Sequence, residues 1–286
     1  MESKTTNRVI EDVSALRFAQ VRDLRIAYRE GGVGRDAVIL IHGLCSATFT
    51  WQDVFETVAT RHRTIALDLK GYGASDKPAS DYHLDTQADV VLGLMDELEI
   101  ERVALVGNSM GGAIALRVAA RWPDRVTRLV LADPAVYSSH LRSRLVRWLL
   151  GWNGWLGRVT AFHTLRLLAR SPSFIESRMR EIYGRMETIT PERVAAYHRL
   201  LNDPACQRAI VATLQAWDLR AVERDLHLVH QPTLIVWGRH DRLIHPHFGE
   251  RLVRDLPQAE LKFLDCGHAP QEEMPIEFAR LVNDFL

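Results

Sequence analysis

The feature that most restricts the fold is a rhythm. Short apolar runs, each bounded by turn residues, alternate with amphipathic stretches of helical period. The runs are Ala37 to Ile41, Thr64 to Leu67, Val103 to Val106 and Arg128 to Ala132. Within them apolar residues follow one another rather than alternate with polar ones, which suits strands covered on both faces of a parallel sheet. Between them the pattern predicts helices over Trp51 to Thr60, Thr86 to Leu98 and Met110 to Arg121, the last stopping short of Pro123. Strand and helix in turn predict an α/β chain with a doubly wound, mostly parallel sheet. Ahead of this rhythm, the residues up to Glu30 alternate apolar and polar about Arg22-Asp23, as in a β-hairpin.

The rhythm then breaks. From Val136 to Asp225 the chain is helical in character with no clear strand, and after Pro232 the alternation returns. Thr233 to Trp237 and Glu260 to Leu264 read as strands, Pro246 to Asp255 and Pro275 to Leu286 as helices. The expected organisation is one core domain over 1–135 and 226–286, with a helical insertion over 136–225. The insertion holds 14 Arg against 8 Asp plus Glu, and its first part, LRSRLVRWLLGWNGWLGRVTAF, mixes Arg with Trp, Leu and Val. Two readings of that segment stand: a lid with an apolar underside that can also touch a membrane surface, or an amphipathic helix packed on the core. Packing is the favoured one.

Elsewhere composition narrows the function. With 36 basic and 36 acidic side chains the chain has no net charge, so nothing calls for a nucleic-acid partner. Cys45, Cys206 and Cys266 are few and widely spaced, and form neither a disulfide framework nor a zinc pattern. The first twenty residues lack an apolar signal core, and no apolar run is long enough to span a bilayer. The expectation is a cytoplasmic protein. Oligomeric state is not written in the sequence.

The chemistry is concentrated in Val103-Ala104-Leu105-Val106-Gly107-Asn108-Ser109-Met110-Gly111-Gly112. Here G-x-S-x-G directly follows a buried strand and opens a helix. Such a turn forces Ser109 into a strained conformation, with Gly107 and Gly111 leaving room where a side chain would collide with backbone. Alone, the pentapeptide also fits a glycine-rich turn with an N-capping serine. A serine nucleophile needs a base, and the base needs a carboxylate to orient it. His268 and Asp241 supply these, each in the loop after one of the last two strands, where open α/β sheets collect their ligands. Asp133 also follows a strand and rivals Asp241 for the acid, while Asp265 reads as a turn residue. His240, His245 and His247 cluster near Asp241 without metal-ligand spacing. An oxyanion would be held by the backbone N–H of Met110 and of Leu44, in the loop His42-Gly43-Leu44-Cys45-Ser46. His42 is expected to brace that loop, Gly43 to let it turn, and Cys45 to be a bystander.

Together these segments resemble the α/β-hydrolase family. The His42-Gly43 loop, Gly71-Tyr72-Gly73-Ala74-Ser75-Asp76, the Gly107 to Gly112 turn, Gly238 to Asp241 and Gly267-His268 stand in the family's order. The resemblance implies a helical cap over the active site and neither metal nor organic cofactor. Ser109 argues against the epoxide hydrolases and haloalkane dehalogenases of this fold, which carry Asp there. Gly-Asn-Ser-Met-Gly-Gly is similar to the carbon–carbon bond hydrolases of ring-fission products, yet the short Gly43 to Ser46 loop and Ala269 depart from their longer glycine-rich loop and their Trp. The first expectation is therefore a serine esterase, of carboxylesterase or lipase type, acting on a small ester with a hydrophobic acyl or aryl part. The alternatives are a carbon–carbon bond hydrolase of vinylogous diketones and a slow-turnover small-molecule receptor.

Overall fold

The computed structural model describes residues 16–34, 36–138 and 155–286. Eight strands form one sheet: β1 Arg17–Val21, β2 Leu24–Gly31, β3 Ala37–Ile41, β4 Arg63–Leu67, β5 Val103–Asn108, β6 Val126–Ala132, β7 Thr233–Gly238 and β8 Ala259–Leu264. Their order is β1-β2-β4-β3-β5-β6-β7-β8. The first two pair as an antiparallel hairpin in which Val21 faces Leu24, and β2 meets β4 antiparallel. From β4 to β8 every pairing is parallel.

Each apolar run of the sequence is one of these parallel strands. Every residue of β3, β5 and β7 is buried, because helices cover both faces of the sheet. One core cluster centres on Ile39, Leu105, Leu129 and Trp237. The opposite one centres on Leu40, Val106, Trp51 and Phe278. Successive residues of a strand thus serve opposite cores.

The flanking helices are α1 Gln52–Ala59, α2 Leu84–Glu97 and α3 Met110–Arg121. The stretch expected to open a helix at Trp51 begins instead with a 3-10 turn, Thr48–Trp51, which drives the Trp51 ring into the core. Between β6 and β7 lie α4 Trp155–Leu168, α5 Pro172–Ile182, α6 Pro191–Leu201, α7 Pro204–Gln215 and α8 Leu219–Asp225. Most of these have a legible start. Ser171, Thr190 and Asp203 are N-caps whose side chains accept from Phe174, Arg193 and Ala205, and each is followed by proline at the first helical position. The basic, Trp-rich stretch of the insertion lies outside the described residues over 139–154. The chain closes with α9 His247–Asp255, the short α10 Pro270–Glu273 and α11 Pro275–Phe285.

The insertion packs on loops at the carboxyl ends of the strands. Ile182 accepts a hydrogen bond from the His268 N–H at 3.0 Å. Gly184 and Gly267 approach so closely that neither has room for a Cβ. On the other side the Tyr72 hydroxyl is 3.0 Å from Thr213 Oγ1. Among the described residues no helix is long and apolar enough to cross a membrane.

Candidate active site

Ser109 sits at the break between β5 and α3 with φ 54° and ψ −114°. That region is disfavoured for a residue with a Cβ, at about 1–3 kcal/mol. Its neighbours explain why it persists. A Cβ on Gly107 would run into the Gly111 carbonyl, and one on Gly111 into the Ile41 carbonyl oxygen. The Ser109 N–H donates to Ala132 O at 2.9 Å, and its carbonyl accepts from Gly112 and Ala135. Met110 is then the first residue of the helix, so its N–H has no intrahelical acceptor.

The loop after β3 closes on this turn. A Cβ on Gly43 would fall 3.2 Å from Asn108 Oδ1 and 3.3 Å from Ser109 Cβ, which brings the loop carrying Leu44 against the serine. His42 braces it. Its Nδ1–H donates to Gly43 O at 2.8 Å, and Nε2 accepts from the Leu69 N–H at 3.0 Å. Both nitrogens are committed and burial lowers the pKa to about 4, so the ring is neutral. Cys45 adjoins with φ 60°, and burial pushes its thiol up to about 12, which leaves it unreactive at neutral pH.

This fixes a pH dependence. The unfolded His42 takes up a proton near pH 6.5, the folded one only near 4. The unfolded state therefore binds more protons between these values, and His42's contribution is lost as pH falls through that window, by up to about 3 kcal/mol. Melting temperatures of wild type and His42→Gln from pH 8 to 4.5 check this. The wild-type curve should fall more steeply below about pH 6.5, and parallel curves would refute it.

His268 and Asp241 are both buried. His268 Nδ1 lies 2.7 Å from Asp241 Oδ2, while Asp241 Oδ1 accepts from the Leu243 and Ile244 N–H groups at 2.8 and 2.9 Å. A carboxylate at Nδ1 requires the proton there, so Nε2 carries the lone pair. Nε2 is buried and has no hydrogen-bond partner among the described residues. The histidine loop is tied to the serine turn by Asn108, whose Nδ2 donates to both Ala132 O and His268 O at 3.2 Å. The structure thus brings Ser109, His268, Asp241, Met110 and the Leu44 loop to one place.

Of the other candidates, Asp133 lies beside Asp241, but Asp241 is the carboxylate that meets the imidazole. Asp265 is exposed and pairs with His240. His245 and His247 face each other, Nδ1 to Nδ1, at 2.8 Å. Asp133, Asp241 and His268 are close enough to suggest metal ligation. However, Asp241 has both oxygens committed to N–H donors, which is the pattern of an acid orienting an imidazole.

Four buried residues in the site's support escaped the sequence reading. One is Asn108. Another is Asp68, which accepts from Thr48 N and Ala74 N at 2.8 and 2.7 Å and so joins the loop after β3 to the glycine-rich loop after β4. The third and fourth are Glu272 and Glu273. Glu273 Oε2 accepts from the N–H groups of Gly184, Arg185 and Gly267, and Oε1 from Ala269. Glu272 accepts from the Tyr183 and Tyr197 hydroxyls at 2.7 and 2.8 Å. Signals were weak: an Asn before the serine, and two adjacent acids shortly after His268.

The family described as alpha/beta hydrolase fold matches residues 36–275. The 2-hydroxy-6-oxo-6-phenylhexa-2,4-dienoate hydrolase of Comamonas testosteroni is 33% identical, over 92% of this chain and 92% of its own. Among solved structures, a variant of the meta-cleavage product hydrolase CumD superposes with a TM-score of 0.79 at 26% identity, covering 96% of this chain and 98% of that one. A membrane phospholipase A superposes at 0.77 with 29% identity, covering 96% and 86%.

Proposed function

Because the chain belongs to the α/β-hydrolase fold family, we propose that it is a serine hydrolase working through Ser109, His268 and Asp241. One observation carries this reading: His268 is held at Nδ1 by Asp241 and, among the described residues, left unpartnered at Nε2, in a loop bonded to the strained Ser109 turn. Ser109 Oγ adds to the substrate carbonyl carbon as Nε2 takes its proton. The Met110 and Leu44 N–H groups hold the oxyanion. Collapse of the adduct breaks the bond to the leaving group, which takes the proton from His268. Water, deprotonated by the same nitrogen, then releases the acid from the acyl-enzyme. The helices between β6 and β7 act as a cap, since they pack on the loops that carry these residues.

Two leaving groups fit this machinery. Carbon–carbon bond hydrolysis of a vinylogous diketone comes first. It is supported by the Comamonas hydrolase and by CumD, each resembling this chain over almost its full length. The dienol first shifts a proton to its ketone form, and the departing carbon leaves as a stabilised carbanion that His268 protonates. This reverses the order taken from the sequence alone, where esters led. Ester hydrolysis stays as the second reading because of Ala269, the short Leu44 loop and the likeness to a phospholipase A.

Parallel assays with a ring-fission dienoate and a p-nitrophenyl ester series from acetate to palmitate separate the two. The expected result is a kcat/KM for the dienoate at least about 100-fold above that for any ester. The opposite ratio would move the chain to the esterases.

A further inference from the structure

Asp133 has no part in the reaction just described, yet its setting is unusual. It follows β6, while Asp241 follows β7, and the two strands pair in register to Ala132 and Val236. Asp133 is wholly buried with φ 44°. Its N–H donates to Val236 O, and its Oδ1 accepts from the Gly238 N–H at 2.9 Å. Its Oδ2 is buried and meets no donor among the described residues. One ligand atom each of Asp133, Asp241 and His268 all lie within 4.8 Å of one another.

Where two buried carboxyls lie this close, the one with fewer donors is driven toward its protonated form. Three donors converge on Asp241: two backbone N–H groups and the His268 imidazole. Among the described residues Asp133 has one donor for two oxygens. The donor count therefore favours the proton on Asp133. Burial, with the Asp241 carboxylate and more weakly Glu273, holds the Asp133 carboxyl well above the usual carboxylate range. Cys266, the remaining titratable neighbour, is kept as a neutral thiol by burial. A proton on Oδ2 resolves its lack of a partner, because it turns an acceptor facing another acceptor into a donor.

We propose that Asp133 is a positioning residue: a neutral carboxylic acid whose Oδ2 hydroxyl donates to the Asp241 carboxylate and keeps it turned toward His268. No bond to substrate is involved, and the proton stays on Asp133 through the cycle. The pair also holds a reserve acid. In Asp241→Asn the repelling charge is gone, so Asp133 can ionise and itself stabilise the His268 imidazolium.

The inference rests on the triad reading and is tested apart from it. If wild-type turnover survives Ser109→Ala, the triad reading fails. If turnover depends on Ser109, the Asp133 variants decide the rest. Asparagine keeps a donor and an acceptor in the same shape, so Asp133→Asn should hold kcat within about threefold, whereas Asp133→Ala should lower it about tenfold or more. The acid limb of the kcat/KM profile should not move in Asp133→Asn, because no charge is removed. In the Asp241→Asn background, adding Asp133→Asn should cost a further factor of about 10 or more, since the reserve acid is gone. A loss above about 100-fold in Asp133→Asn alone, or an acid limb displaced by a full unit, would mean Asp133 is charged and overturn the assignment. Equal small effects in both backgrounds would overturn it too. Asp133→Asn carries these comparisons even if Asp133→Ala does not fold.

Discussion

Ser109→Ala should abolish turnover on whichever substrate the wild type accepts, by about 10⁴- to 10⁶-fold in kcat. The size follows from how the group works. The hydroxyl is the atom that bonds to the carbonyl carbon, so removing it removes the covalent path. His268 and Asp241 then have nothing to activate, because members of a triad act as a unit. What survives is the contribution of the oxyanion donors and of binding. KM should change little, since only the hydroxyl is removed. The fold should tolerate the change, because alanine keeps the hydrogen bonds that Ser109 makes through its backbone N–H and carbonyl. A variant retaining a tenth of wild-type kcat would remove Ser109 from the chemistry.

The second large effect is on stability. Glu273→Ala should lower the melting temperature by about 10 °C, from about 3–5 kcal/mol lost. One buried carboxylate here satisfies four backbone N–H groups: Gly184 and Arg185 from the insertion, Gly267 and Ala269 from the loop that carries His268. Truncation leaves those donors facing one another in a buried place. Each unsatisfied group costs about 1–3 kcal/mol, relieved in part where water can enter. Gly184 and Gly267 have no Cβ to fill the space, and their backbones are already in contact. The His268 loop and the root of the insertion should loosen together, so kcat should fall along with stability. Glu273→Gln keeps one oxygen acceptor but adds an NH₂ where only donors converge, and should lie between the two. A melting temperature within about 3 °C of wild type in Glu273→Ala would show that the clamp contributes little.

These two residues mark what the sequence could and could not convey. Ser109 was legible because its signal is local: a buried strand, a glycine on each side and a helix directly after. The parallel strands were legible for a similar reason, since burial on both faces writes consecutive apolar residues into the chain. Edges were less certain. The helix expected from Trp51 to Thr60 runs over Gln52–Ala59, because a 3-10 turn over Thr48–Trp51 first carries Trp51 into the core. The choice between Asp133 and Asp241 was only half legible, since both follow strands. Side-by-side strands β6 and β7 bring both acids to the site, and what separates them is the contact of Asp241 with His268, 27 positions along the chain, which no local pattern records. The role of Glu273 was not legible, although the pair of adjacent acids was a weak signal. Its partners stand 89 and 88 positions earlier, at Gly184 and Arg185, and six positions earlier, at Gly267. Nothing in a string of residues marks a carboxylate as the meeting point of four amides. The same holds for Asn108, which reaches His268 across 160 positions.

The central claim is that Ser109 is a nucleophile activated by His268. It is met most directly by treating the protein with a fluorophosphonate and locating the adduct by peptide mass spectrometry. Wild type should be modified once, at Ser109, and His268→Ala should label far more slowly at the same pH. Labelling that falls on another residue, or a rate unchanged by His268→Ala, would contradict it.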